Sequence, residues 1–351
     1  MKNIAIIGHS PAAYLAVKFL LERDPSLGLT LISADGQLPY DRTLLPGLID
    51  RSVKEKNIFC AGEDFYAASQ VQVVLDKEIS RINFTRNRIY GTDRVAEVKV
   101  PANKAQYDFD TLILLDSPQV RLPQIKGVRR QGVFHLATLR TVKDLIRYLP
   151  FTETVVVEPR GFSGIRAALA LKAVGKDVII ASRHEALLSD VISVPRSGEL
   201  VAALEKRGVR VMYSGGAVED VIGENEVKAV RFKAGKVVAC DMIILEDAVA
   251  DLRFLSDTGI SMSERILTSV NGLTNIPGVY AADVVAEIPE LGMTGGYWVS
   301  TEIGGIQAGV VAGALFGEDR ILVRDDFSPR DMTGTFFHPQ EIHQDQTEGV
   351  V

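Results

Sequence analysis

The chain has 351 residues, of which 46% are apolar and 24% are charged, and its formal net charge is −6. This length and composition predict a globular protein of two domains, and the acidic balance argues against a nucleic acid or an acidic membrane as a partner. No apolar run reaches the ~18 residues that a membrane helix needs, and the opening "MKNIAIIGHS" enters a strand at once, without room for a signal peptide. The sequence therefore predicts a cytoplasmic protein.

Two segments of the chain share one order of elements. Both "NIAIIGHSPAAYLAVKFLLERDPSLGLTLIS" and "TVVVEPRGFSGIRAALALKAVGKDVIIAS" read as a strand, a glycine-containing turn, a helix and a second strand. Their strands are rich in Ile, Val and Leu, which is typical of strands buried on both faces of a parallel sheet. Two such units predict an α/β fold with two Rossmann-like, doubly wound dinucleotide-binding domains.

Shorter elements follow each of these units. After the first, "QVQVVLDKEISRINFTRNRIYG" alternates apolar and polar residues and predicts strands, and "YDFDTLILL" predicts a buried one. After the second come further short strands, ending in "CDMIIL", and then "TEIGGIQAGVVAGALFG", which predicts a helix. From Ile321 onward the composition predicts a polar tail.

The order of these segments resembles that of the FAD-dependent pyridine-nucleotide (disulfide) oxidoreductases, of the rubredoxin-reductase and nitrite-reductase flavodomain type. The two glycine turns carry the resemblance together with "LPYDRTLLPGLI", "FDTLILL", "CDMIIL" and "IPGVYAADVVAE". The resemblance implies that an NAD(P) domain is inserted in a split FAD domain. It places the FAD-binding parts at 1–118 and 250–320, the NAD(P)-binding-like domain at 119–249, and a polar tail at 321–351 where relatives have most of an interface domain.

The first turn, "GHSPAA", stands where the family has G-x-G-x-x-G and implies a site for FAD. Gly8 permits the tight turn, Ser10 is small enough for the backbone to approach a pyrophosphate, and Ala13 permits close packing of helix on strand. The predicted helix starts near Pro11 and offers N–H groups and a partial positive charge to a phosphate. We therefore expect Gly8, Ser10, Pro11, Ala12 and Ala13 to contact FAD.

Four further residues stand at or next to family positions outside this turn. The resemblance assigns Arg42 of "PYDR" to the FAD phosphates and the backbone of Ile79 to the adenine. The family position for the adenosine ribose is Ala34, and Asp35 would serve it after a one-residue shift of the loop. Asp283 of "AADV" would bond the ribityl chain, but it stands one residue earlier than the Asp of the family's A-A-G-D. Because a one-residue shift on a strand turns a side chain to the opposite face, this role requires a local irregularity.

The ion pair that relatives hold over flavin N5 is absent. Relatives have a lysine and a glutamate where this chain has Gly47 and Arg166. Arg166 either brings a cation near the flavin, as a catalytic group, or points to solvent, and both alternatives stay open. Neither Cys60 nor Cys240 lies in "PYDRTLLPG", where relatives carry a redox sulfur, so both are expected to be structural, and no metal site is expected.

The second turn, "EPRGFSG", departs further from the family. Gly161 and Gly164 would contact NAD(P)H, whereas Glu158 and Pro159 put a like charge and a rigid ring beside its phosphates. The acid that would hold the ribose of NAD is missing, and Arg183 stands next to its position. This combination suits the 2′-phosphate of NADP, and equally a site that binds no nucleotide.

Two short motifs are also more acidic than a phosphate-rich cofactor favours. Relatives have A-T-G after the third strand of the FAD domain, where this chain has "LDS" at 115–117. The corresponding place in the second unit is "EDA" at 246–248. These acids weaken the expectation of tight phosphate binding, most of all in the second unit.

Together the motifs predict an FAD-binding oxidoreductase that transfers electrons between NAD(P)H and a protein redox partner, rubredoxin or an iron–sulfur protein. The cofactors would do the chemistry, and the protein would position them. An alternative of another class is a cofactor-poor structural or regulatory subunit of a redox complex that keeps the fold. We expect FAD at the first turn and NAD(P)H weakly or not at all at the second, and an oligomer or a place in a complex is left open.

Overall fold

The structure is a computed structural model that describes residues 3–33, 35–75, 77–93, 104–116, 120–246, 249–292 and 301–327. The helices are, in chain order, α1 (Pro11–Arg23), α2 (Glu63–Ala68), α3 (Leu139–Tyr148), α4 (Phe162–Ala173), α5 (Val194–Lys206) and α6 (Thr301–Leu315). A proline stands at the first or second position of α1 and of α5, where its missing N–H costs no helical hydrogen bond.

Strands lie before and between these helices along the chain. Those before α4 are β1 (Asn3–Ile7), β2 (Gly28–Ser33), β3 (Gln72–Leu75), β4 (Lys77–Asn83), β5 (Arg88–Asp93), β6 (Lys104–Asp108), β7 (Thr111–Leu114), β8 (Val120–Arg121), β9 (Val133–Phe134) and β10 (Thr154–Glu158). Those after it are β11 (Asp177–Ser182), β12 (Arg210–Tyr213), β13 (Val218–Ile222), β14 (Ala229–Phe232), β15 (Val237–Ala239), β16 (Met242–Leu245), β17 (Val249–Ala250), β18 (Ile266–Leu267), β19 (Val279–Ala281) and β20 (Ala286–Glu287).

The first sheet is parallel throughout and has the order β19-β7-β1-β2-β3. Successive residues of β1 face opposite sides, as in any strand. Ile4 and Ile6 pack in one core cluster with residues of α1 and α6, whereas Ala5 and Ile7 pack in another with Leu252. Both faces of β1 are therefore covered, which explains why its sequence is apolar without alternation.

The second sheet is also parallel and has the order β12-β11-β10-β16-β9. Val155 and Val157 of β10 pack with Ile165 of α4, and Val156 faces a different cluster that contains Phe232 of β14. Antiparallel sheets β4-β5-β6 and β13-β14-β15 flank the parallel ones. These two parallel sheets confirm the predicted α/β fold of Rossmann-like units.

The "PYDR" segment lies against both units. Its 3₁₀ helix, Arg42–Leu48, packs on α3 and α4. Tyr40, which has no exposed surface, donates its N–H to the carbonyl oxygen of His9 in the first turn, and its hydroxyl accepts from Leu139 N–H of α3. The division of the chain at 118/119, 249/250 and 320/321 stays a proposal.

Among the described residues, no helix has both the length and the apolar character needed to cross a membrane. Within the same ranges, no three His, Cys, Asp or Glu side chains come together as a set of metal ligands. Of the predicted tail, 328–351 lies outside the described residues, and Arg324–Phe327 forms a short 3₁₀ helix.

Candidate functional site

The first glycine turn presents backbone N–H groups at the start of α1. A Cβ atom at Gly8 would lie 3.2 Å from Ala13 Cβ and 3.3 Å from Leu115 Cβ, so glycine lets the turn pack closely on α1 and on the end of β7. Ser10 is the N-cap of α1. Within the described ranges, the N–H groups of Ser10 and Ala12 donate to no acceptor. N–H groups in this position suit an anion.

Asp283 reaches this turn from the end of β19. Its carboxylate accepts a 2.8 Å hydrogen bond from Ser10 Oγ, and its N–H donates to the side-chain oxygen of Gln307 in α6. The φ angle of Asp283 is +57°, so the backbone is irregular at this position, and the role of Asp283 at the ribityl chain stays a prediction. Burial, followed by the charge of Asp116, raises the pKa of Asp283 to about 6.

A second acid, Asp116, lies in the same polar cluster just after β7. It is 3% exposed, and its Oδ2 lies 2.9 Å from Arg42 Nη2 and 3.3 Å from His9 Nδ1. We call His9, Ser10, Arg42, Asp116 and Asp283 the first-turn cluster. The expected role of Arg42 at the FAD phosphates stays a prediction, and Asp116 is a competing partner for its guanidinium.

The two residues expected at the adenosine have different surroundings. Asp35 accepts a 2.5 Å hydrogen bond from the Tyr40 hydroxyl, which holds its carboxylate beside the "PYDR" segment. Ile79 is 3% exposed and packs with Ile32 and Val74 in the core. Its side chain is thus inaccessible to a ligand, and only its backbone could serve the adenine, so both roles stay predictions.

The position of the family's lysine has no room for a longer side chain. A Cβ atom at Gly47 would lie 2.5 Å from Val53 Cγ2. Arg166, at the position of the family's glutamate, donates from Nη1 to the Thr43 carbonyl oxygen at 3.3 Å. The alternative that Arg166 points to solvent is therefore wrong, and burial lowers its pKa. Its catalytic role stays a prediction.

The second turn has converging N–H groups, and a carboxylate of the chain accepts from them. Glu246 directly follows β16, the neighbour of β10. Its Oε2 accepts from the N–H groups of Arg160 at 2.9 Å, Gly161 at 3.1 Å and Gly164 at 3.1 Å. A Cβ atom at Gly164 would lie 2.5 Å from Oε2, so this glycine makes room for Glu246. Burial raises the pKa of Glu246, and the three N–H donors partly oppose the shift.

Glu158 and Arg183 bond to each other. The Glu158 carboxylate is fully buried and accepts from Arg183 Nε at 3.0 Å and Nη2 at 2.8 Å, and Val218 N–H adds a third bond at 2.8 Å. The sequence predicted a like charge at Glu158 beside the phosphates, and this expectation is corrected because Arg183 pairs with that charge. The expected role of Arg183 at a 2′-phosphate stays a prediction, but its guanidinium already has a carboxylate partner.

Neither cysteine has the surroundings of a nucleophile. Burial raises the pKa of Cys60 and of Cys240 to about 12, so both are thiols at neutral pH. We expect Cys60→Ser and Cys240→Ser each to leave flavin content and electron transfer to a dye within about twofold of wild type. A loss of about a hundredfold in either variant would instead show that a thiolate takes part.

The sequence did not predict the contacts of Glu246 and Asp116 or the bridge that Tyr40 forms between the units. A signal was present for the two acids, since each closely follows an apolar strand where relatives have an uncharged motif. The parallel pairing of β16 with β10 is what brings Glu246 to the second turn. Both acids lie at the carboxyl ends of their sheets, where ligands of such folds bind.

Known proteins resemble the chain along most of its length. It is 23% identical over 290 residues to an NADH oxidase of Methanocaldococcus jannaschii, which covers 81% of the chain and 63% of that oxidase. It is 23% identical over 281 residues to a rubredoxin-NAD(+) reductase of Pseudomonas putida, which covers 79% of the chain and 70% of that reductase. The chain thus spans less than two thirds of the length of the oxidase.

Solved structures and a family model agree with this likeness. A ferredoxin reductase from Rhodopseudomonas palustris has the same fold, with a TM-score of 0.80 at 19% identity over 92% of the chain and 78% of that protein. The model described as "Pyridine nucleotide-disulphide oxidoreductase" matches residues 2–297. Since this match covers well over half of the chain, the chain belongs to the pyridine nucleotide-disulphide oxidoreductase family, whose members are FAD-dependent oxidoreductases that use NAD(P)H, as the sequence predicted.

Proposed function

We propose that the chain is an FAD-binding oxidoreductase that exchanges electrons with a protein redox partner, rubredoxin or an iron–sulfur protein. The first turn carries this proposal. The N–H groups of Ser10 and Ala12 have no acceptor in the described part of the chain, and they stand at the N-terminal end of α1. A pyrophosphate would accept from them and would be favoured by the helix dipole.

In this proposal the residues of the chain hold and orient the cofactor. Gly8 and Ala13 bring α1 close to the sheet, and Arg42 supplies positive charge for the phosphates. Asp283, fixed by Ser10 and by α6, would accept from a ribityl hydroxyl. The bound flavin would supply the one- and two-electron chemistry.

The class of partner is taken from the compared proteins. One of them is named for rubredoxin and another for ferredoxin. NAD(P)H, the electron donor expected from the sequence, would have to bind at the second turn. The hydrogen bonds of Glu246 to the N–H groups of that turn bear directly on whether NAD(P)H can bind.

We expect FAD to co-purify with the chain, or to bind on reconstitution, at about one per chain. Ser10→Glu puts a carboxylate beside the N–H groups of the first turn and should abolish flavin binding, because like charges repel strongly at such short range. Ser163→Glu makes the same change at the second turn and should keep the flavin. Absorbance of the flavin released on denaturation measures both.

Wild-type chain that takes up no FAD on reconstitution would contradict this proposal. It would favour the second candidate function, a cofactor-poor structural or regulatory subunit. The specific observation behind that candidate is the pairing of cofactor-binding groups with the chain's own acids, Arg42 with Asp116 and the second turn with Glu246. Equal flavin content in Ser10→Glu and wild type would instead show that the first turn does not bind FAD.

A further inference from the structure

The second unit carries an anion of its own where a dinucleotide would place its pyrophosphate. Three N–H groups at the start of α4, from Arg160, Gly161 and Gly164, converge on one oxygen atom of Glu246. The same kind of N–H cluster binds the pyrophosphate in dinucleotide-binding folds. Here the acceptor is intramolecular, and α4 has no side-chain cap from its own N-cap residue.

We propose that Glu246 excludes the pyrophosphate of NAD(P)H from the second turn. The second unit of the wild-type chain then serves as a scaffold and does not hold a nicotinamide dinucleotide. On the function proposed above, the flavin would then receive its electrons from a donor other than NAD(P)H. Glu246 is in this sense the residue that excludes NAD(P)H as the electron donor.

The position of the Glu246 backbone is fixed by the sheet. Its N–H donates to the Glu158 carbonyl oxygen at 3.3 Å, and the preceding residue, Leu245, pairs with Glu158 in the register of β16 on β10. A Cβ atom at Gly164 would lie 2.5 Å from Glu246 Oε2 and 2.8 Å from Pro159 Cβ. The carboxylate of Glu246 and the ring of Pro159 therefore both lie against Gly164 at the start of α4, where the carboxylate occupies the place of a phosphate group.

The charge of Glu246, like its packing, disfavours a pyrophosphate at the second turn. A pyrophosphate that displaced the carboxylate would leave the negative charge of Glu246 a few ångströms away, in a partly buried place. The charge of Arg160 partly opposes the rise that burial causes in the pKa of Glu246, so that cation already acts on an acid of the chain. The guanidinium of Arg183 is likewise bonded to Glu158. Both cations that could have attracted NADP thus have intramolecular acids as partners.

The two turns differ in this one respect. Asp116 and Asp283, the acids of the first unit, bond to side chains, to Arg42 and to Ser10. Glu246 instead accepts from three backbone N–H groups of the second turn. The contrast predicts that one chain binds a flavin dinucleotide at its first turn and rejects a nicotinamide dinucleotide at its second.

Isothermal titration calorimetry on the full chain tests the proposal, with NADPH, NADH and ADP-ribose as probes. ADP-ribose carries the pyrophosphate without the nicotinamide, so its binding reports on the turn alone. We expect no measurable binding to wild type at millimolar probe and a gain of about tenfold or more in Glu246→Ala, because a competing charge is removed. Glu246→Gln should gain less, since its amide oxygen still accepts from the turn. Glu205→Ala, an exposed acid of α5, is the matched control and should gain nothing.

Equal affinity of wild type and Glu246→Ala, whether strong or absent, would overturn the proposal. Should the variant fail to fold, hydrogen exchange on the wild type decides. We expect the amides of Arg160, Gly161 and Gly164 to exchange slowly and to be unaffected by NADPH, and added protection by NADPH would overturn the proposal as well. Neither readout requires flavin, and flavin content is measured on the same samples. A flavin-free wild type would therefore count against the proposed function, and the effect of Glu246 on nucleotide binding could still be interpreted.

Discussion

Arg183→Ala is expected to lower the free energy of unfolding by about 3–5 kcal/mol. The guanidinium of Arg183 makes two hydrogen bonds to Glu158, whose side chain has 0% exposure. In the variant the carboxylate would stay buried, and of its three hydrogen bonds the one from Val218 N–H would remain. Removing one partner of a buried pair is costly because the other charge stays away from water. Urea denaturation followed by circular dichroism measures the loss.

An exposed ion pair in the same unit provides the control. Arg210 bonds to Asp177, but the two side chains are 61% and 49% exposed. Arg210→Ala should therefore cost less than about 1 kcal/mol. Adding Glu158→Gln to Arg183→Ala should recover part of the stability, because the buried charge is gone. An Arg183→Ala variant as stable as Arg210→Ala would show that Glu158 does not depend on its partner.

The buried pair of Glu158 and Arg183 also affects what a nucleotide-binding experiment on this chain would show. Arg183 follows a missing ribose acid, and this pattern alone suggests a preference for NADPH. Since its guanidinium is bonded to Glu158, weaker nucleotide binding in Arg183→Ala would follow from lost stability and would affect NADH and NADPH alike. Replacing Glu158 would likewise disturb the core of the second unit before it opened a phosphate site.

The fold could be predicted from the sequence because its signals are local. The runs of β1 and β10 are apolar without alternation, each is followed by a glycine turn, and small residues recur at helical spacing after it. Each of these features lies within about 30 residues, the size of one βαβ unit. They define strands, turns and helices whatever the partners of the side chains are.

The contacts of the site depend on residues that are far apart in the chain. Glu246 lies 86 residues from Arg160, and Asp283 lies 273 residues from Ser10. Only the register of neighbouring strands decides which side chains meet at the carboxyl end of a sheet. The sequence could show that Asp283 is displaced by one position, but its positive φ and its bond to Ser10 come from the assembled structure.

Asp283→Asn is expected to make the chain more stable at neutral pH and to remove a pH dependence. Burial and Asp116 raise the pKa of Asp283 from 3.8 to about 6, a difference of roughly 3 kcal/mol. Because the folded-state pKa is the higher one, the stabilisation by the bound proton is complete below about pH 4 and is lost as the pH rises to about 6. Asparagine is neutral throughout, tolerates a positive φ and can still accept from Ser10 Oγ. Urea midpoints of the flavin-free chain between pH 4 and pH 7 measure the effect.

The other titrating groups contribute equally in both chains, so the difference in free energy of unfolding between Asp283→Asn and wild type reports on the titration of Asp283 alone. It should rise by up to roughly 3 kcal/mol across that pH range. Asp116→Asn removes the second cause of the raised pKa of Asp283. It should therefore make the pH dependence of stability shallower than in wild type. Asp319→Asn, on an exposed carboxyl, should leave it unchanged. A pH dependence in Asp283→Asn equal to that of wild type would mean that Asp283 is already ionised at pH 4 in the folded chain. The first-turn cluster would then hold two carboxylates beside Arg42 and His9, which would weaken any phosphate site there.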